Sequence, residues 1–262
     1  MDRDFLVRLF GFGATLIHGD LLVLDRWRWL KRRLPRTANN ETLIDIGCGN
    51  GAMSIGAAIR GYATIGLSWD ESNQASATRR ARLCGVNPTF PIQDVRKLGE
   101  QSSYFGQFDV AICFENIEHI LDDLKLLRDI ERLLKPGGLL LLTTPNWYYR
   151  EMSAGERGPF RPIEDGGHVR RGYTPSMIQE LCDKSGLFVE EISSCSGFFS
   201  QNITIFHRTF RRFGVFGWIF TLPLRIIPSL LDDIFSKITS WPDYSLCLVA
   251  YKPRFSPNPP GP

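Results

Sequence analysis

Apolar positions along this chain change period in a regular way. Leu43, Ile44 and Ile46 form a short apolar run that carries one acid, Asp45, and then breaks into glycines at 47, 49 and 51. Beyond Gly51, apolar and small residues recur at Ala52, Met53, Ile55, Ala57 and Ala58 with a helical period. The segment therefore predicts strand, tight turn and helix, the first step of a βαβ unit. The same alternation continues. Residues 63–68 predict a second strand and 71–85 a polar-faced helix ending on a glycine; 89–94 predict a third, short strand. Residues 108–113 are apolar almost throughout, as in a strand buried on both faces. Leu124, Leu127, Ile130, Leu133 and Leu134 then share a helix face that Lys135-Pro-Gly-Gly138 closes before a fifth strand at 139–144. Thr174 and Pro175 suit the N-cap and first position of a further helix, and 187–193 and 244–251 predict the last two strands.

The glycine turn is the first place with chemistry. Glycines there permit positive φ and leave no side chain between backbone and ligand, and the helix start offers free N–H groups. A carboxylate or phosphate can lie against it. Gly47, Gly49 and Ala52 also fit the G-x-G-x-x-G/A pattern of dinucleotide-binding folds. Asp45, two residues before the first glycine, can help hold a cationic amino-acid group and so tilts the reading away from a nicotinamide cofactor.

A second constellation follows the fourth predicted strand. Glu115, Glu118 and His119 form E-x-x-E-H; on a helix, this i, i+3, i+4 spacing places all three on one face. His168 lies in the polar run Glu164–Arg171, inside an unusually long connection, 145–174, expected to fold over the same edge of the sheet. Two carboxylates and two imidazoles suit Mg²⁺ or another divalent ion. His119 alone suits a general base, because imidazole titrates near neutrality.

Taken together, the LIDIGCGNG turn, the LKPGG turn and the order of segments resemble a class I S-adenosylmethionine-dependent methyltransferase, from about residue 40 to 195 and again over 244–252. The E-x-x-E-H segment is similar to that of ubiquinone-pathway O-methyltransferases and small-RNA 2′-O-methyltransferases. The resemblance implies an α/β, Rossmann-like fold: a seven-stranded, mostly parallel sheet with an antiparallel last strand and helices on both faces. It implies S-adenosylmethionine held by Asp45, Gly47, Gly49, Asp94 and Val95, the last two at the adenine. The acid that usually bonds the ribose is replaced by Ser68, so that role falls to Ser68 or Asp70. Glu115, Glu118, His119 and His168 are the acceptor-side, catalytic and metal candidates. The expected activity is O-methylation of a small or lipid-linked acceptor. The alternatives are RNA 2′-O-methylation and a catalytically inactive cofactor-binding scaffold.

The remaining segments read as additions to that core, which spans 37–195 and 244–252. Residues 1–36 carry Leu21, Leu22, Leu24, Trp27, Leu30 and Leu34 at helical spacing, interleaved with Arg26, Arg28, Lys31, Arg32, Arg33 and Arg36. They predict an amphipathic cap with a solvated basic face. Residues 196–243 form an apolar insertion, read as a cap over the site or a shallow membrane contact through 213–235; it is too short and too broken by prolines to span. The proline-rich tail, 253–262, predicts disorder. Composition adds little. The 262 residues suit one α/β domain with additions, and a net charge of +3 is too small to argue for a nucleic-acid partner. The six cysteines are scattered without a C-x-x-C pair, which fits reduced thiols in a cytoplasmic protein, at most peripheral at the inner face of a membrane. Nothing in the sequence speaks to oligomeric state.

Overall fold

The computed structural model describes residues 3–17, 21–153, 155–160, 162–210, 220, 223–224 and 231–254. Three helices come first: α1 (Arg3–Phe10), α2 (Phe12–Ile17) and α3 (Leu22–Arg33). They are followed by β1 (Thr42–Ile46), α4 (Ala52–Ile59), β2 (Ala63–Leu67), α5 (Glu71–Leu83), β3 (Phe108–Phe114), α6 (Asp123–Leu133) and β4 (Leu134–Pro145). After the long connection come α7 (Pro175–Ser185), β5 (Phe188–Cys195), α8 (Phe198–Phe210), α9 (Asp232–Thr239) and β6 (Ser245–Tyr251).

The strands form one sheet in the order β2-β1-β3-β4-β6-β5. β1 to β4 run parallel, and β6 is antiparallel to both β4 and β5. Alternate residues of each strand face opposite layers. Ile44, Ala111, Leu140 and Leu248 pack with Leu127 and Ile130 of α6 and Ile178 of α7. Leu43, Val110, Leu141 and Val249 pack instead with Trp27 and Leu30 of α3 and Met53 and Ala57 of α4. Covering both faces explains the unbroken apolar runs of the central strands.

Six strands are present among the described residues, where seven were expected. Thr89–Asp94 forms only two isolated parallel bridges, Thr89 to Ile65 of β2 and Ile92 to Ser68 just beyond it. Pro91 stands between them and has no N–H to donate to a ladder. The parallel body and antiparallel β6 agree with the expectation.

The expected basic face of the N-terminal helix is only partly solvated. Lys31 and Arg32 are exposed, but Arg33 pairs with Glu191 of β5 and Arg26 turns inward. Most of the apolar run expected at 213–224, and much of the 213–235 segment read as a membrane contact, lie outside the described residues. No helix among the described residues is long and apolar enough to cross a membrane. All six cysteines are free.

Candidate active site

The chain winds from β1 outward to β2 and then back to β3, so the crevice at the carboxyl ends of β1 and β3 is the switch point of the sheet. A cavity of about 440 Å³ opens there. Its wall combines the β1–α4 turn, the ends of β2 and β3, the start of the 94–96 turn, and Glu164 and Gly166 of the long connection.

The turn owes its shape to glycine. Gly47, Gly49 and Gly51 have φ of 78°, 51° and 82°, a region that costs other residues about 1–2 kcal/mol. The N–H groups of Gly47 and Cys48 both donate to the Leu67 carbonyl at the end of β2, which anchors the turn. A Cβ on Gly47 would lie 2.5 Å from the Asn116 side chain, whereas one on Gly49 would meet nothing within 4 Å. Gly47 is thus needed for close packing, and Gly49 for an open wall. A backbone-lined cradle beside a cavity of this size fits S-adenosylmethionine.

Asp45 is not part of that wall. It is buried behind the turn and accepts a 2.6 Å hydrogen bond from the Ser54 hydroxyl of α4. Burial raises its pKa to about 6, against the lowering effect of Ser54. Ser68 and Asp70 both line the cavity. Asp70 also caps α5, accepting from the N–H groups of Ser72 and Asn73, and these bonds hold its carboxyl below the ordinary value. Trp69 lines the same wall and is 60% exposed. Val95 and Asp94, expected at the adenine, line the cavity, but both Asp94 oxygens are engaged by the Arg96 guanidinium at 2.7–3.1 Å. Arg96 reaches on to Glu164 at 2.9 Å, and Glu164 accepts from the Leu121 N–H at 2.6 Å. The long connection is thereby tied across the cofactor crevice.

E-x-x-E-H is not a continuous α-helix. Glu115 adopts φ 47°, and only Ile117–His119 form a single 3-10 turn. The expected common face therefore splits. Glu115 lines the cavity and pairs with Arg26 at 3.0 Å, while Ser245 donates to it at 3.2 Å. Glu118 turns into the interior, fully buried, accepting from Thr144 at 3.2 Å. Its Oε1 has no hydrogen-bond partner, and burial together with the Glu115 charge pushes its pKa well up.

The connection delivers His168 to this point. The Val169 N–H donates to the Glu118 carbonyl at 3.0 Å, and the rings of His119 and His168 meet edge to face at 4.6 Å. His119 Nδ1 lies 2.9 Å from the Gly167 carbonyl, an acceptor that fixes the proton on Nδ1. Nε2 is left with its lone pair, 3.9 Å from Glu118 Oε1. Burial and the neighbouring His119 lower the His168 pKa to about 4, so that ring is neutral at pH 7. Glu118, His119 and His168 offer ligand atoms within 4.8 Å of one another, the one such grouping among the described residues. An orphaned buried oxygen facing two imidazoles fits a divalent cation. Of the four expected ligands, Glu115 stands apart, claimed by Arg26.

Sequence reasoning passed over Arg26, Arg96, Asn116 and Glu164. Arg26 read as one cation among six on a helix, and Glu164 as one polar residue in a loop; nothing local marks either. Asn116 sits inside the singled-out segment, but its contact with Gly47 joins residues far apart in sequence.

Comparison with known proteins agrees with this architecture. The family model described as "Methyltransferase domain" matches residues 22–192. A ubiquinone biosynthesis O-methyltransferase of Pseudomonas paraeruginosa is 33% identical over 171 residues, covering 64% of this chain and 72% of the relative. Among solved structures, a putative sarcosine dimethylglycine methyltransferase from Galdieria sulphuraria superposes with a TM-score of 0.60 at 14% identity, covering 97% of this chain and 99% of that one. The geranyl diphosphate C-methyltransferase of Streptomyces coelicolor A3(2), in complex with Mg²⁺, geranyl diphosphate and S-adenosyl-L-homocysteine, gives 0.55 at 15% identity, covering 86% and 76%. With the family model spanning most of the chain and a glycine cradle set at the switch point of the sheet, this protein belongs to the class I S-adenosylmethionine-dependent methyltransferases.

Proposed function

We propose that this methyltransferase methylates a hydroxyl group on a small or lipid-linked acceptor, and that the Glu118–His119–His168 cluster handles the acceptor oxygen. The observation that carries the reading is the pair of imidazoles packed edge to face beside a buried, half-satisfied carboxylate at the rim of the cofactor cavity. The relative named for ubiquinone biosynthesis O-methylation supports the same chemistry.

The donor supplies a methyl group already activated on a sulfonium, so the chain's own work is alignment, exclusion of water and removal of one proton. A hydroxyl must lose its proton as it attacks. Nε2 of His119, with its lone pair, is the proton acceptor, and the Gly167 carbonyl holds the ring for it. His168, kept neutral by burial, adds no positive charge against the incoming proton. A divalent cation held by Glu118, His119 and His168 would take that same His119 Nε2 lone pair and replace the base, its contribution being to lower the pKa of a bound hydroxyl. Two nitrogens and one oxygen suit a borderline ion such as Zn²⁺, Mn²⁺ or Fe²⁺ better than Mg²⁺. Ser68, Asp70, Asp94 and Val95 hold the nucleoside end of the donor, with Asp45 buttressing the turn from behind.

The apolar residues of the 213–235 segment favour a lipid-linked acceptor met at a membrane surface. RNA has weaker support, because two cations of the basic α3 helix, Arg26 and Arg33, are already paired with carboxylates of this chain. The test is methyl transfer from labelled S-adenosylmethionine to catechols with and without prenyl chains and to short RNAs, each with chelator and with added Zn²⁺, Mn²⁺ or Mg²⁺. Transfer to the catechols that His119→Ala abolishes is expected. Transfer only to RNA, or unchanged transfer by His119→Ala, would overturn the reading.

A further inference from the structure

Arg26 belongs to α3, in the N-terminal helices that precede β1, yet it ends beside the cofactor cavity. Its side chain is 11% exposed. One N–H donates to Ser245 Oγ at 3.1 Å and another group pairs with Glu115 at 3.0 Å; Ser245 in turn donates to Glu115 at 3.2 Å. The three side chains close a triangle joining α3, the end of β3 and the start of β6. Glu115 lines the cavity, whereas Arg26 stands behind it and does not. The backbone at Glu115 is left-handed, φ 47°, a conformation that a side chain holds only when its surroundings dictate it.

We infer that Arg26 is a positioning residue: it fixes the Glu115 carboxylate on the cavity wall, where that negative charge favours the sulfonium of S-adenosylmethionine over the uncharged thioether of S-adenosylhomocysteine. The cavity carries the argument through distance. The carboxylate is the nearer charge and the guanidinium the farther one, so the potential felt inside is negative although the pair is neutral. Such a wall also favours release of the product, which has lost the charge that held the substrate. The inference rests on the cofactor alone and makes no use of an ion at Glu118–His119–His168.

The experiment is calorimetric titration of wild type, Arg26→Met, Arg26→Lys, Glu115→Gln and Arg26→Met/Glu115→Gln with both S-adenosylmethionine and S-adenosylhomocysteine. The readout is the ratio of the two affinities, which a general loss of structure would not move selectively. Glu115→Gln is expected to lower the preference for the sulfonium about tenfold, the scale of one close charge contact. Arg26→Met is expected to lower it about threefold, by letting the carboxylate leave its place, and Arg26→Lys to stay within twofold of wild type. The double variant is expected to match Glu115→Gln, because under this inference the effect of Arg26 on the ratio runs through that carboxylate. A stronger sulfonium preference in Arg26→Met would show that Arg26 merely opposes the Glu115 charge, and would overturn the inference. So would additive losses in the double variant. Should Arg26→Met fail to fold, Arg26→Gln is titrated in its place with the same expected loss of about threefold; an unchanged ratio there or in Glu115→Gln overturns the inference.

Discussion

The two halves of the site are built in different ways. The cofactor half is local: one nine-residue stretch from Asp45 to Met53 carries the acid, the three glycines and the helix start, and the ends of neighbouring parallel strands complete it. The proposed acceptor half is assembled from afar. Glu118 and His119 follow β3 and His168 arrives on the long connection. Glu115, on the cavity wall between the two halves, is held by a helix eighty-nine residues earlier and a serine 130 residues later. Local geometry sets backbone shape, and long-range contacts set charge and proton position. Damage to one half should therefore separate from damage to the other.

The sharpest break is at Gly47. Gly47→Val must adopt φ 78° and drive a Cβ into Asn116, so S-adenosylhomocysteine binding is expected to fall more than a hundredfold by calorimetry. Less than a tenfold loss would mean that the turn relaxes and that the cofactor half is less rigid than drawn. The complementary break is His119→Ala. Loss of a positioned proton acceptor is expected to lower kcat by about 10²–10³, while S-adenosylhomocysteine affinity stays within threefold. A parallel collapse of cofactor binding would show that the halves are not separable.

Acid titration distinguishes the halves by sign. His168 takes up its proton near pH 6.5 when unfolded but near 4 when folded. Its contribution to stability is complete above pH 6.5 and is lost as pH falls toward 4. Asp45 behaves oppositely: folded, it is protonated below about pH 6, whereas unfolded it stays ionised to about 3.9. The folded state thus gains stability from Asp45 as pH falls through 6, the sense required when it binds more protons than the unfolded state. Denaturant unfolding at pH 7 and pH 4.5 should show His168→Asn losing less stability on acidification than wild type, and Asp45→Asn losing more, each by about 1–2 kcal/mol after discounting for solvent. The smallest effect is expected where the halves are tied together. Glu164→Gln weakens the tie to Arg96 and Leu121, and S-adenosylhomocysteine should dissociate about two- to fivefold faster in stopped-flow, as suits a partly exposed ion pair.

The Thr89–Asp94 segment shows one way in which a local pattern misleads. Its alternation reads as a strand, and its position beside β2 is right, but Pro91 and an outermost place on the sheet leave only two bridges. E-x-x-E-H shows another. Helical spacing would align Glu115 with Glu118 and His119, and the segment's own residues do not oppose that. What opposes it is the sheet: the Glu115 N–H donates to the Thr143 carbonyl of β4 at 2.8 Å, and its side chain meets Arg26 of α3, contacts that exist only in the packed fold.

The sequence by itself determined the alternation of strands and helices in the core and the glycine cradle, because these follow from periodicity and from φ values that glycine alone adopts freely; the parallel body and the antiparallel β6 were expected from the resemblance of its motifs to the methyltransferase family. Only the tertiary structure decided how the candidate site residues divide: Asp45 behind the turn, Asp94 shared with Arg96, Glu115 on the cofactor wall, and Glu118, His119 and His168 in one cluster. Those assignments depend on burial and on which charges lie within a few ångströms. Neither is a property of a residue's neighbours along the chain.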